Sequence, residues 1–285
     1  MTFPADDDSA ALFAASTYGG GLCTVTAIDG SWSRRLGAQL AVLPDGTTQG
    51  SLADGCLENA LAEATRRATA PQLLRFGQGS PFIDVRLPCG SGIDVLVDPA
   101  PDRARLREAT HALAQREPAV LAVGTARYGP FLRRYLPRLR LIAIGSGPEL
   151  KALARLATIQ PIDLVIASPV GEAGTEALAL GVAPTIAIDR WTAIAVLFHD
   201  HEWERGVLPW ALASPAFHVG AQGGEGARRQ RDEMLAVAGI TAADRARLRS
   251  PIGLFRSARS PSVLALSVLA EIVAAYEQLL DAQEP

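Results

Sequence analysis

Lysine is almost missing from this 285-residue chain: of 27 basic residues only Lys151 is lysine. That imbalance selects no function by itself. The formal net charge is −3 and the isoelectric point lies near 5.9, so no overall basic field draws in nucleic acid. Cysteine is scarce too. Cys23, Cys56 and Cys89 are odd in number and far apart, with no CxxC pair, which excludes a disulfide framework and a structural zinc motif. No apolar run approaches the roughly 18 residues that span a bilayer. The start, MTFPADDDSA, is acidic where a secretory leader carries positive charge and then an apolar segment. The expectation is a cytoplasmic protein with free thiols whose surroundings decide their use. Lysine-based and Ser–His–Asp catalysis find no signal, and no internal repeat or low-complexity segment is present.

At 48% hydrophobic and 20% charged residues, the composition is that of a globular protein, and the length fits two domains. GLCTVTAI, AQLAVLP and IDVLVDP read as strands, with Asp45-Gly46 as a hairpin turn. A helix is predicted from Leu57 to about Arg67, with Leu57, Leu61 and Ala64 on one face. ARLREATHALAQRE reads as a second helix and AVLAVGTA as a strand. RYGPFLRRYLPRLR, rich in arginine and broken by prolines, reads as the link between domains. From Leu139 short apolar strands (LRLIAIG, DLVIAS, PTIAID, TAIAVLF) alternate with helices, which predicts a parallel, doubly wound sheet. The chain closes with helices in RRQRDEMLAVAG and SPSVLALSVLAEIVAAYEQLL, the latter capped by Ser260 with Pro261 at its first position. The fold class expected is α/β: a small mixed domain over residues 1–138, then a Rossmann-like domain over 139–285.

Five places could carry chemistry. In SLADGCLENA, Cys56 follows Gly55 at a helix start, where unpaired amides and the helix dipole favour a thiolate or an anion; a buried, inert thiol is the other reading. Cys89 and Gly90, in LPCGSGIDV, sit in a glycine turn that allows close backbone approach or merely opens a strand. Arg34-Arg35 in GSWSRRLGA suit phosphate or carboxylate, or form a solvated loop. Gly145-Ser146-Gly147 follows a strand and opens a helix, the context of a dinucleotide turn, but no ribose-binding acid follows the next strand in Ile166-Ala167-Ser168-Pro169. HDHEWE places His199, His201, Glu202 and Glu204 past a strand end, as metal ligands or as a polar loop. His218 and the glycines before Arg228-Arg229 could form an anion pocket.

Taken in order, GSWSRRLGAQLAV, GSLADGCLENA, LPCGSGIDVLVDP, HVGAQGG…ARR and SPIGLFRSARSPSVLALSVLAEI resemble the XdhC/CoxI family, the maturation factors of xanthine and carbon monoxide dehydrogenases. The likeness runs from about residue 12 to 280. It implies a protein that binds molybdenum cofactor, protects it and inserts it into a molybdoenzyme of that type. It further implies Cys56 beside the cofactor's molybdenum, Cys89 and Gly90 as the second cysteine element, and Arg34-Arg35 as the basic loop. The implied partners are the apo-molybdoenzyme, a cysteine desulfurase that sulfurates the metal, and a second copy of the chain. The chain departs from the family pattern at Asp54, where the pattern has glycine, and in ASPVGEAG, which lacks the pattern's acid and arginine. The rival reading is an NAD(P)-dependent oxidoreductase using Gly145 and Gly147.

Overall fold

The computed structural model describes residues 9–53, 55–80, 91–125, 129–171, 174–255 and 258–281, with backbone alone at 56, 125 and 281. Two compact units divide the chain, Met1–Pro137 and Arg138–Pro285.

In the first unit the elements run α1 (Ala10–Tyr18), β1 (Gly21–Asp29), β2 (Gln39–Val42), β3 (Thr48–Gly50), α2 (Cys56–Arg67), β4 (Gln72–Gly77), β5 (Gly92–Asp98), α3 (Arg103–Ala114), β6 (Ala119–Thr125) and β7 (Gly129–Tyr135). Five of the strands form an antiparallel sheet in the order β3-β2-β1-β5-β4. Alternation along β1 sends Leu22 to one face and Cys23 to the other. On the Cys23 face, Leu57, Leu61 and Ala62 of α2 pack against Val25, Leu40, Ile93 and Val95. On the Leu22 face, Leu12 of α1 and Leu106 and Leu113 of α3 close a second core with Leu121 and Tyr135. Cys23 is fully buried, and burial pushes its thiol up to about 12, so this cysteine is an inert core residue.

Three local readings change here. RYGPFLRRY is not a bare link: Gly129–Tyr135 pairs antiparallel with β6, and Pro130 is tolerated because the hairpin stands alone with open edges. Helix α1 is apolar on all sides and shows no amphipathic period. Strand β4 holds adjacent leucines rather than an alternating pair, so neither element announced itself.

The second unit runs β8 (Arg140–Gly145), α4 (Pro148–Ala157), β9 (Asp163–Ser168), β10 (Glu176–Ala177), β11 (Thr192–Leu197), α5 (Glu204–Leu212), β12 (His218–Ala221), α6 (Glu225–Val237), α7 (Ala242–Ala246), β13 (Leu248–Arg249) and α8 (Pro261–Asp281). All six strands are parallel, in the order β10-β9-β8-β11-β12-β13. Numbered within the unit this is 3-2-1-4-5-6, the doubly wound order of dinucleotide-binding folds, whose direction reverses between β8 and β11. Helices α4 and α8 cover one face through Leu150, Leu153, Val268 and Ile272. Helices α5 and α6 cover the other through Val207, Leu208, Ala211 and Leu235. Strand β11 is buried along its whole length, as expected for a strand covered on both faces. PTIAID forms no strand: Ile186 and Ile188 pack on the core while the backbone stays out of the ladder. The sequence showed no membrane-length run, yet Pro261–Leu280 within α8 is long and apolar enough to cross a bilayer by length and composition alone. One face of α8, with Ala265, Val268, Leu269 and Ile272, belongs to the sheet's core.

At the start of β12, His218 is 5% exposed, and its Nε2 lies 3.4 Å from Glu271 Oε1 on α8 without hydrogen-bonding geometry. Burial, with help from Arg249, lowers its pKa to about 4 from an ordinary 6.5, so it is neutral in the folded state. Burial raises Glu271, whose carboxyl accepts the Gly253 N–H. Because the unfolded chain protonates His218 first, its contribution is fully present above pH 6.5 and is lost as pH falls toward 4. Denaturant melts at pH 7 and pH 4.5 should show about 2–3 kcal/mol less stability at the lower pH from this group, partly offset by Glu271. In His218→Leu that pH dependence should shrink by the same amount.

Candidate functional site

The two units each hold one candidate region. In the first, α2 begins at Cys56 with Gly55 as its N-cap at φ 106°, a conformation an L side chain resists although nothing would crowd a Cβ there. What caps the helix is Glu58. Its buried carboxylate accepts the backbone N–H groups of Leu52 (2.8 Å), Ala53 (2.6 Å) and Gly55 (2.9 Å), tying these three residues to the first turn. Burial works to raise the Glu58 pKa, but the amides of Ala53, Leu52 and Gly55 outweigh it and hold the carboxyl below its usual range. A fixed negative charge therefore already sits in the field that favours an anion at the helix start.

Arg34 supplies the opposing charge. Its Nε donates to Ser51 O (3.2 Å) and its Nη2 to Ser51 Oγ (3.0 Å), so the basic loop is tied to the segment leading into Cys56. The structure thus brings together two of the motifs read separately in the sequence. Arg35 is half-buried beside them, and its carbonyl accepts the Ala38 N–H at 3.1 Å. Trp32, in the same loop, buries its indole N–H with no partner among the described residues. Cys89, Gly90 and Asp54 lie outside the described residues. The region offers the exposed Arg34 guanidinium near the chain position of a thiol, a pairing suited to an anionic guest with a soft metal.

The second region lies at the carboxyl ends of β8, β11 and β12, where the strand order reverses and open α/β sheets place their ligands. A cavity of about 480 Å³ is bordered there by Glu149, Phe198, His199, His201, Gln222, Gly223, Gly224, Ile252, Phe255 and Arg259, among others. Gly145 closes β8 so tightly that a Cβ would stand 2.4 Å from the Leu197 carbonyl, so packing against β11 explains this glycine. Gly147 is the N-cap of α4, and Glu149 stands in that helix's first turn. One Glu149 oxygen lies 3.5 Å from His199 Nε2, while the other is buried with no partner among the described residues. A carboxylate thus occupies the helix start where a dinucleotide's pyrophosphate would sit, and like charges repel. Among the described residues no acid stands at the end of β9, where Ser168 accepts the Val170 N–H. The geometry does not favour the nicotinamide reading.

HDHEWE resolves into support and rim. Glu204 is fully buried in a two-pronged ion pair with Arg231 of α6, Nε to Oε2 at 2.7 Å and Nη2 to Oε1 at 2.6 Å. Arg231 also donates to the Gln222 carbonyl and to Ser250 Oγ. His201 Nδ1 rests 3.1 Å from Glu204 Oε2, while His199 is exposed at the rim. Among the described residues no three His, Cys, Asp or Glu side chains converge as a metal site. Sequence reasoning missed Glu149 and Gln222. Polar residues directly after strand ends, in GSGPE and HVGAQGG, were the available signal.

A doubly wound domain with a cavity at its switch point, preceded by a helix-covered antiparallel domain, is the architecture of a binding protein built on the Rossmann theme. The family model described as the XdhC Rossmann domain matches residues 141–272, and that described as the XdhC and CoxI family matches residues 14–77. The chain is 31% identical over 280 residues to the molybdenum cofactor insertion chaperone PaoD of Escherichia coli (strain K12), covering 90% of this chain and 83% of that protein. A crystal structure described as a xanthine dehydrogenase from Bacillus halodurans shares the fold at a TM-score of 0.72 and 19% identity, covering 93% of this chain and 94% of that one. The chain belongs to the XdhC/CoxI family.

Breaking the ion pair beneath the cavity should be expensive. Arg231→Leu leaves the Glu204 carboxylate buried and uncompensated and should cost about 3–5 kcal/mol in urea unfolding. The double variant Arg231→Leu/Glu204→Leu should recover most of that loss, a coupling that a double-mutant cycle reads directly.

Proposed function

We propose that this chain is a maturation factor that binds molybdenum cofactor, shields it and inserts it into a molybdoenzyme, with no turnover of its own. The observation that carries this reading is the 31% identity, over 90% of the chain, to a protein named as a molybdenum cofactor insertion chaperone. Family membership in both halves of the chain supports it. Molybdenum cofactor is an anionic pterin phosphate whose metal carries soft sulfur ligands. The Arg34 guanidinium and the amides at the start of α2 suit the anion, and a thiol at position 56 suits the metal. On this reading Cys56 contacts the molybdenum or its sulfur, and Cys89 and Gly90 complete the element. Arg34 and Arg35 screen the negative charge of the guest. The partner is an apo-molybdoenzyme of the xanthine or carbon monoxide dehydrogenase type. A cysteine desulfurase and a second copy of the chain are further proposed partners, and the cytoplasm is the proposed compartment.

Anaerobic incubation with molybdenum cofactor followed by gel filtration tests the proposal, with molybdenum and pterin measured in the protein peak. Wild type should retain cofactor near one per chain, Cys56→Ala at least about tenfold less, and Arg34→Ala should fall between them. Wild type that is folded yet retains none overturns the reading.

A further inference from the structure

The cavity at the end of β8, β11 and β12 contains polar groups that the fold itself does not use. Gln222 is 5% exposed, and both its side-chain oxygen and nitrogen lack a hydrogen-bond partner among the described residues. Its backbone, by contrast, is fully employed: the N–H donates to Val196 O at 3.0 Å and the carbonyl accepts from Arg231. The side chain is therefore held in place by its backbone and left with an idle donor and acceptor at the cavity wall. Glu149 adds an idle buried carboxylate oxygen on the same wall. Unsatisfied buried polar groups are costly and rare, and two bordering one cavity are a request for a ligand that answers both.

The donor and acceptor inventory says what that ligand must present. A carboxylate accepts only, so the partner offers N–H groups to Glu149; an amide both gives and takes, so the partner offers a carbonyl or ring nitrogen, or a further N–H, to Gln222. Phe198, Ile252 and Phe255 supply apolar wall between them, fit for a flat ring. We propose that this cavity binds a heteroaromatic ring with an amino-lactam edge, the amino, ring N–H and carbonyl set shared by a pterin and by guanine. In this scheme the Glu149 carboxylate accepts the ring's amino N–H and Gln222 pairs with the neighbouring polar atoms of that edge. Adenine, which has no lactam, fits this set poorly, and the Glu149 charge rejects a pyrophosphate on α4.

This inference rests on the cofactor-carrier reading for the choice of pterin, and its test separates the two. The full-length chain is titrated with free carboxypterin, followed by quenching of pterin fluorescence, and in parallel with GMP and with NADH. Carboxypterin should saturate with a Kd on the order of micromolar, and Glu149→Gln and Gln222→Leu should each weaken it at least about tenfold. Gln222→Leu should melt at the same or a higher temperature, because it removes an unpaired buried amide, so its loss of binding cannot be charged to misfolding. Saturable GMP binding lost in the same two variants, with carboxypterin not bound, keeps the site and assigns it to a guanine nucleotide. Binding of NADH alone, ring binding unmoved by both substitutions, or no binding of any probe below about millimolar overturns the proposal. In the gel-filtration assay, wild type and both variants retaining molybdenum cofactor equally would sink this site and leave the carrier intact. No retention by wild type would sink the carrier and leave the free-ring titration to judge the cavity.

Discussion

The Arg231–Glu204 pair is the interaction on which the second unit's ligand-facing edge depends. Both side chains are essentially out of water, at 1% and 0% exposure, and two charges in that position are tolerable only with excellent geometry and every remaining donor satisfied. The geometry meets that demand. One guanidinium holds both oxygens of the carboxylate at the start of α5, the Gln222 carbonyl after β12 and the Ser250 hydroxyl after β13. The start of α5 and the segments that follow the paired strands β12 and β13 are thereby fixed to one another. The cavity wall inherits its precision from that fixation. Gln222 can keep an idle amide in place because its main chain is pinned on both sides, and His201 is set against Glu204 rather than left to swing.

The first unit solves the same problem with smaller means. Leu52, Ala53 and Gly55, on the approach to α2, are gathered by the single carboxylate of Glu58, and Arg34 clasps Ser51 just upstream. In both units a charged side chain whose role looks functional in the sequence serves as the brace, and the groups left over for a guest are the less conspicuous ones beside it. A precise site needs such a support behind it, because a side chain left to chance contributes little orientation.

That division of labour explains what could and could not be read from the sequence. Periodicity carried most of the architecture: GLCTVTAI, AQLAVLP with its Asp45-Gly46 turn, IDVLVDP and, apart from PTIAID, the strands read after Leu139 became the expected elements. The family, too, was legible in the order of its motifs. What failed was whatever lacked a period or depended on a partner far away in sequence. Helix α1 is buried nearly all round, β4 gains its identity only from pairing with β5, and PTIAID is apolar because its isoleucines face the core, not because it joins the ladder. Around the candidate sites, residue type pointed at the right loops and the wrong atoms. Glu204 stood out as a ligand-type residue, yet it is satisfied by Arg231, which the sequence reading did not single out. Glu149 and Gln222 were passed over because nothing local marks a polar side chain as unpaired; that is a property of the folded neighbourhood alone.

The doubly wound topology and the Gly145-Ser146-Gly147 turn would ordinarily point to a dinucleotide, and here the same turn carries its own counter-argument. The fold delivers a helix start, a glycine cap and a switch-point crevice, all of which are indifferent to which ligand arrives. Selection comes from the side chains added to that frame. Placing Glu149 in the first turn of α4 turns an anion-binding end into one that accepts N–H donors, and leaving the end of β9 without an acid removes the ribose contact. Both features weigh against a nicotinamide dinucleotide at this switch point. The idle amide of Gln222 then makes the crevice selective for something else: a ring read by its edge, with its charge carried elsewhere than on α4.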